Sequence, residues 1–333
     1  MARPAPAASR AVDILNYLIA HPTQSFTLSE LARQLEMNVA SAHTVLAVLA
    51  SAGYVVRHPG RKTYALGPLL VAAGHAALER YPAIALAGDE IRKLSRQFGV
   101  ELVVTAAAGD EIVALVRAGP RNPYGLEVGR RVPLIPPLGS VFVAWGTPGE
   151  VDLWLQRAGR RTTRTTVERY RRVLDTVRQR GYSVALQASA SGALSGALAE
   201  MADRPTAQAR RNLDEILGEL GHGEYHLDDV KTPGAYNIGM IAAPVFDGDG
   251  RAVLALALSD LPRPLAVAEI IAWANRLRDT ALVVTRQAHG HVPEGRPPTH
   301  GSHPVPQPGD APAADDRKAS PAKPARRNGG RRS

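Results

Sequence analysis

The sequence contains no cysteine among its 333 residues. This absence excludes a disulfide scaffold, a thiolate metal site and a cysteine nucleophile, and it fits a reducing cytosol. Aromatic residues make up only 5% of the chain and hydrophobic residues 45%, so we expect aliphatic cores in two globular domains. No apolar run is long enough to cross a bilayer, and the N-terminal residues lack a long apolar segment. We therefore expect a cytoplasmic protein with no membrane span and no secretory signal.

The net charge of +9 is concentrated at one end of the chain. Seven of the 40 basic residues lie in 317–333, a segment without any acid, which leaves 33 basic against 31 acidic residues elsewhere. These seven are Arg317, Lys318, Lys323, Arg326, Arg327, Arg331 and Arg332. A cluster of this kind favours a nonspecific contact with phosphates. Proline, glycine, histidine and basic residues dominate from position 288, so we expect a disordered basic tail over 288–333.

Residues 9–67 have the pattern of three helices followed by a hairpin, after a leader over 1–8 that we expect to be disordered. Apolar spacing predicts a first helix from a capping Ser9 to Ala20. Thr27 and Glu30 form a capping box that opens the second helix. The third helix follows a turn at 36–38 and ends at Gly53. The hairpin spans 54–66 with its turn at 58–60, and Phe26 is placed to pair with it.

This order of elements is typical of a winged helix-turn-helix, in which the third helix enters the major groove of double-stranded DNA. We expect DNA contacts from the helices through Thr27, Asn38, Ser41, His43 and Thr44, and from the wing through Arg57, Arg61 and Lys62. The wing cations would supply salt-dependent affinity for phosphates. A small helical bundle with a hairpin and no DNA role fits the same pattern. The third helix also carries no Lys or Arg to bind guanine.

The remaining chain alternates predicted helices with predicted strands. A helical connector is expected over 68–81 and a second domain over 82–287. Helices are predicted at 82–98, 138–145, 166–180, 206–220 and 265–287, and strands at 101–107, 111–117, 182–187, 238–246 and 252–258. Residues 133–137 are expected to form a rigid loop, and the rest of 188–232 has no clear pattern. Helices that separate hairpins predict an α+β domain built on an antiparallel sheet.

Several tracts, taken in order, resemble the IclR family of bacterial regulators. They are 9–15 (SRAVDIL), 27–32 (TLSELA), 43–49 (HTVLAVL) with 53–55 (GYV), 64–67 (YALG), 128–139 and 241–247 (IAAPVFD). The resemblance covers about residues 9–285. It implies a winged helix-turn-helix followed by a GAF-like effector domain with an antiparallel sheet flanked by helices. It also implies a homodimer or homotetramer that responds to a small molecule.

The chain departs from the family in three places. Thr44 stands where family members usually carry an arginine, which puts the operator preference in doubt. The loop before Gly139 is one residue short and contains Pro136 and Pro137, and the segment 188–232 is long; both put the class of effector in doubt.

The resemblance also implies an effector pocket between the sheet and residues 129–140. Candidate pocket residues are Leu138, Gly139, Ser140, Tyr236 and Ala243, and backbone N–H groups at the start of the 138–145 helix suit an anion such as an organic acid. The alternative is that 133–137 is merely a rigid connection.

Enzyme and metal motifs are missing from the sequence. There is no dinucleotide fingerprint, Walker loop or H-E-x-x-H motif, and Ser195 within 192–196 occupies the wrong position for a nucleophile elbow. His222, His226, Asp228 and Asp229 are possible metal ligands, but neighbouring glycines favour a solvated loop. The turn at 247–250 lacks the remaining calcium ligands. We therefore expect no enzyme, no cofactor and no metal; the competing hypothesis is a sensor or partner-binding module without operator specificity.

Overall fold

The computed structural model describes residues 5–120, 126–158, 163–187, 191–203, 206–222, 226–227, 234–259, 261 and 263–293. Residues 1–4 of the expected leader, the expected tail from 294 onward, Asp228 and Asp229 lie outside these ranges. No helix within them combines the length and apolar character that a membrane span requires.

The N-terminal unit contains the three predicted helices and the hairpin. Its elements are α1 (Pro6–Ala20), β1 (Phe26–Thr27), α2 (Leu28–Gln34), α3 (Val39–Ser51), β2 (Val55–His58) and β3 (Thr63–Leu66). The expected start of the first helix was wrong, because α1 begins at Pro6 and so includes part of the expected leader. Ser9 lies inside the helix, and Ala5 occupies the N-cap without a side-chain hydrogen bond.

A small sheet closes this unit with strand order β1-β3-β2. Phe26 lies opposite Tyr64, which confirms the predicted pairing of the segment before α2 with the wing. The helices bury Ile14, Leu31 and Leu46 beneath the sheet. The apolar spacing of the three helices therefore produces one compact core.

Two helices follow the wing. They are α4 (Leu69–Arg80) and α5 (Pro82–Phe98). Helix α4 buries none of its residues. Helix α5 begins with Pro82 and ends before Gly99, which has a φ of 70°. Proline at the first helical position and a left-handed glycine after the last are strong boundary signals, so the sequence predicts both ends of α5.

A six-stranded antiparallel sheet forms the centre of the second unit, with order β6-β5-β4-β10-β9-β7. Its strands are β4 (Leu102–Ala108), β5 (Glu111–Ala118), β6 (Arg131–Pro133), β7 (Ser183–Leu186), β9 (Ile238–Phe246) and β10 (Ala252–Ser259). A second, two-stranded sheet pairs β8 (Ala235–Tyr236) with β11 (Leu265–Ala266). The predicted α+β class is confirmed.

Helices cover both faces of the large sheet. On one face, α5 and α11 (Val267–Gln287) build a core with alternate residues of β4, β9 and β10. The opposite face carries α6 (Ser140–Val143), α7 (Pro148–Gln156), α8 (Arg164–Arg180), α9 (Ser191–Asp203) and α10 (Ala207–His222). We call these the α5/α11 face and the α6–α10 face.

One local expectation of the second unit was wrong, and the elements β6 and α9 were not predicted. The helix expected over 138–145 is the four-residue α6, because Gly139 takes a left-handed φ of 80° immediately before it. Strand β6 pairs with β5 and ends at Pro133, the first residue of the expected rigid loop, and residues 134–137 lie outside any strand. The segment 188–232 contains the additional helix α9, whose Ala, Ser and Gly residues give no clear apolar spacing.

The chain does not leave the fold at residue 288, where disorder was expected to begin. The backbone N–H of Gly290 donates to Thr285 O at 2.7 Å, and that of His291 donates to Asp247 O at 2.7 Å. Residues 288–293 therefore lie against the turn between β9 and β10.

Candidate functional site

Thr27 begins α2 through the predicted capping box. Its Oγ1 accepts a hydrogen bond from Glu30 N (3.3 Å) and donates to Glu30 Oε2 (2.9 Å), while Thr27 N donates to the same carboxylate (2.7 Å). These hydrogen bonds to Thr27 hold the pKa of Glu30 below its ordinary value. The Thr27 hydroxyl is thus already used within the helix, so its primary role in the structure is to orient α2.

Asn38 caps α3 in the same way. Its Oδ1 accepts from Ala40 N at 2.9 Å and from Ser41 N at 3.5 Å. Thr44 Oγ1 donates to Ala40 O at 3.0 Å, one turn earlier in the helix. Of the polar residues predicted to contact DNA from this helix, His43 is exposed and Ser41 is half-buried. The structure thus brings all four residues to the N-terminal half of α3, but two of them are engaged with the helix backbone.

The three wing cations lie on the strand and turn that extend beyond the core. Arg57 is on β2, with its guanidinium carbon 6.0 Å from the centre of the Tyr64 ring. Arg61 and Lys62 lie in the turn rather than at the start of β3 as expected, and Lys62 has a φ of 52°. All three are exposed, and no ion pair is recorded for them with any carboxylate in the part of the chain that the structure describes. Their positive charge is therefore available to an anionic partner.

Arg33 is a further exposed cation of this unit, which the sequence reasoning passed over. It lies in the last turn of α2, directly before the turn that leads to α3. The sequence feature that could have identified Arg33 is its position as a basic residue on the polar side of a helix with a predicted capping box. Because helix two of a helix-turn-helix crosses the DNA backbone, this position suits a phosphate contact.

The two units touch through Ile19 of α1 and the loop before β6. Gly129 has a φ of 83°, and a Cβ built on it would overlap Ile19 Cγ2 and lie 3.3 Å from Ile19 O. Gly129 N donates to Ala114 O at 2.8 Å, so β5 fixes the loop that carries the contact. Sequence reasoning missed this contact, because both partners are ordinary residues of separate domains.

The five candidate effector residues do not lie together. Leu138 packs into the core of the α6–α10 face, and Ser140 is buried at the start of α6 on the same side. Ala243 and Tyr236 pack into the core of the α5/α11 face. The alternation of side chains along β9 places Ala243 on the side of the sheet opposite Leu138. The expectation that the five share a pocket is therefore not met by the structure.

Side chains from other elements hold the carbonyl groups of the loop that leads into and out of α6. Trp154 Nε1 donates to Leu138 O at 3.0 Å and Arg157 to Leu134 O at 3.1 Å. Arg178 Nε donates to Ala144 O at 2.6 Å. These contacts favour the interpretation of the loop as a rigid connection. They do not favour an anion site at α6, since a helix of four residues has little dipole.

His226 provides a fourth contact of this kind. Its Nε2 lies 3.0 Å from Pro137 O, and because a carbonyl only accepts, Nε2 carries the proton. Burial lowers the pKa of His226 to about 4. The side chain is therefore neutral near pH 7. The structure describes no group of acidic and histidine residues arranged to bind a metal.

A cavity of about 380 Å³ opens between α9 and α10. Its lining includes the carboxylates of Glu200, Glu215 and Glu219. Negative charge at this position opposes an anionic ligand. None of the five candidate effector residues lines this cavity.

Comparison with known proteins agrees with this architecture. Residues 7–59 match the model of the IclR helix-turn-helix domain. The chain is 23% identical to the HTH-type transcriptional regulator XynR of Escherichia coli (strain K12) over 281 residues, which cover 83% of this chain and 94% of XynR.

Solved structures show the same fold over both units. An IclR transcriptional regulator from Alicyclobacillus acidocaldarius matches with a TM-score of 0.58 and 21% identity, over 86% of this chain and all of that one. An IclR homolog from Microbacterium hydrocarbonoxydans, solved with 4-hydroxybenzoate, matches with a TM-score of 0.54 and 17% identity, over 85% of this chain and 98% of that one. Residues 7–59 are therefore an IclR-type helix-turn-helix domain, and the chain as a whole has the fold of these solved structures.

Proposed function

We propose that this chain is a ligand-responsive regulator that binds operator DNA through its winged helix-turn-helix and a small molecule through its second unit. In this proposal residues 9–67 form the DNA-binding domain, and residues 68–81 form a helix that connects it to the second domain. Residues 82–287 form that second domain, which binds the effector and mediates oligomerisation. The observation that carries the proposal is the exposed wing of Arg57, Arg61 and Lys62 beside the exposed face of α3. Phosphate neutralisation by such cations supplies affinity, and a helix in the major groove supplies register.

Electrophoretic retardation of duplexes from upstream of the protein's own coding region tests the DNA-binding part. The full chain is expected to retard a fragment in the presence of excess nonspecific competitor. Failure to retard any fragment of the host chromosome would contradict the proposal.

One observation favours a second candidate, a sensor or partner-binding module without operator specificity. Helix α3 contains no Lys or Arg, and these residues make the commonest specific contact, which is to guanine. This candidate predicts that competitor DNA abolishes retardation while small-molecule binding persists. The same assay therefore separates the two candidates.

We infer that the protein acts as a homodimer or homotetramer in the cytoplasm. Leu69, Val71, Leu78 and Tyr81 are exposed on or next to α4, and a second copy would cover this apolar surface. Two copies would also present paired recognition helices to a symmetric operator. Sedimentation of the full chain is expected to give a species of at least twice the mass of one chain; a monomer at micromolar concentration would contradict this inference.

The effector proposal is confined to the α6–α10 face, around Leu138, Gly139 and Ser140. Ser140 supports it as a buried hydroxyl on this face, and the relative solved with 4-hydroxybenzoate suggests small organic acids as the first ligands to screen. A binding acid is expected to raise the melting temperature of the protein, and Ser140→Ala to reduce that shift. Tyr236→Phe, on the opposite face, should keep it. An equal loss in both variants would contradict this location.

A further inference from the structure

The exposed face of α3 is largely apolar. Ala40, His43, Thr44, Ala47 and Val48 are exposed and recur at intervals of three and four residues, which places them on one side of the helix. The opposite side buries Ala42, Val45, Leu46 and Leu49 in the core of the unit. The face that would enter a groove of DNA therefore contains one titratable side chain, His43, and no cation.

Two polar side chains at the start of this face are committed to the backbone. Bidentate recognition of adenine by asparagine requires both its oxygen and its amide group, but Asn38 Oδ1 already accepts from Ala40 N. Thr44 Oγ1 donates to Ala40 O at 3.0 Å. The hydroxyl proton of Thr44 is thereby used, which leaves the methyl group and the acceptor lone pairs of the oxygen for an external contact.

Two exposed valines lie at the two edges of this face, since the nine residues between them correspond to about two and a half turns of the helix. The exposed fraction is 51% for Val39, the first residue of α3, and 62% for Val48, on its third turn. In the major groove, thymine is the base of unmodified DNA that presents a methyl group, at C5, and apolar side chains contact it. The apolar part of this face is thus complementary to thymine, and the helix has no Lys or Arg for the O6 and N7 acceptors of guanine, so that His43 and the amide group of Asn38 are the donors beside it.

We propose that α3 reads thymine through the 5-methyl groups in the major groove, with Val39 as the contacting group at one edge of the face and the Thr44 methyl and Val48 at the other. The inference rests on the proposed DNA-binding function and adds the base class that the helix selects. The wing cations provide affinity without base preference. Sequence preference then depends on methyl contacts from α3 and not on bidentate hydrogen bonds to guanine.

Selection from a random duplex library with the full chain, followed by replacement of single thymines with uracil, tests this. Uracil keeps the pairing edge and removes only the methyl group. Each contacted thymine is expected to lose affinity by about fourfold on replacement, the effect of about one buried methylene-sized group. The Val39→Ala variant is expected to bind the thymine duplex more weakly and to lose the difference between thymine and uracil at one position.

Val12→Ala is the matched control, because Val12 is 54% exposed but lies on α1; it should keep the full discrimination. A selected site that binds equally with uracil at every position would overturn the inference while leaving DNA binding intact. So would a site specified mainly by guanine. A Val39→Ala protein that changes oligomeric state with unaltered discrimination would overturn it as well, and would assign the apolar face to contact with a second copy. Failure to retard any duplex would instead contradict the proposed function.

Discussion

Gly129 and Ile19 are in contact across the two units, and the contact has no room for a side chain on Gly129. The loop that carries Gly129 continues into β6 and then into the segment that leads to α6. Helix α1 in turn packs on α3, so this contact joins the loop before β6 to the core of the N-terminal unit.

Gly129→Ala is expected to destabilise the protein by about 2–3 kcal/mol, because it combines an unfavourable positive φ with overpacking against Ile19. Gly109→Ala is the matched control, since Gly109 has a φ of 63° and open space around its Cβ position; it should cost about 1 kcal/mol. Urea unfolding of both variants measures the difference.

The double variant Gly129→Ala with Ile19→Ala extends this test. If the overlap is the cause, the double variant loses less stability than the sum of the single variants, with a coupling of at least about 0.5 kcal/mol. Simple additivity would show that the two residues do not interact.

Replacement of Arg57, Arg61 and Lys62 by alanine is expected to weaken DNA binding more than His43→Ala or Thr44→Ala. Each lost phosphate contact lowers the steepness of the salt dependence by about 0.9, so the triple variant flattens the slope by up to about 2.7. Electrophoretic retardation at salt concentrations from about 50 to about 200 mM measures this slope.

The control is a second triple alanine variant, which removes three positive charges from the exposed side of α5 at Arg92, Lys93 and Arg96. It should leave the slope nearly unchanged. Equal losses in the two triple variants would indicate that net charge, and not the wing, determines affinity.

Thr27→Ala is expected to lower the free energy of unfolding by about 1 kcal/mol, because α2 loses its N-cap. The same variant is expected to bind DNA more weakly. The second unit contains the same capping box at Thr147 and Glu150, with the same hydrogen-bond distances. Thr147→Ala should therefore cost a similar amount while DNA affinity of the folded protein is retained. Denaturation curves and retardation assays on both variants distinguish a cap that orients α2 from one that merely stabilises the chain.

Protein stability should fall on acidification between pH 6.5 and pH 4 because of His226. The unfolded state binds a proton near pH 6.5, whereas burial holds the folded pKa at about 4, so the unfolded state gains protons first and the free energy of unfolding decreases as the pH falls. The full effect is of the order of 3 kcal/mol.

His226→Gln keeps an N–H donor for Pro137 O and removes the titration. Its unfolding free energy should depend less on pH than that of the unaltered protein over this window. Parallel pH profiles would show that His226 does not contribute.

Deletion of 317–333 is expected to weaken DNA binding by a similar factor for every sequence and to flatten the salt slope, since the segment carries seven basic residues and no acid. An unchanged slope would exclude the tail from DNA binding.

Elements with local boundary signals were predictable from the sequence. Pro82 and Gly99 fix α5, and the turn at 247–250 fixes the hairpin of β9 and β10. Elements that depend on distant partners were not: β6 is a strand only because β5 lies beside it, and α9 has no periodic apolar stripe. The candidate DNA residues of α3 lie on the expected helix, whereas Arg61 and Lys62 lie in the turn and not in β3. The hydrogen bond that Asn38 Oδ1 accepts from Ala40 N limits which base Asn38 can recognise. The position of Ala243 was not predictable either. Alternation along β9 indicates which side chains share a face of the sheet, but it does not indicate which helices pack on that face.

Helix α4 is 12 residues long and has no buried residue. Isolated helices of about this length are only marginally stable in water, so the connector gains its rigidity from whatever covers it. If a second copy provides that cover, dilution would loosen this connecting helix, which is about 18 Å long. The abundance of the protein in a cell would then determine how firmly an effector signal reaches the DNA.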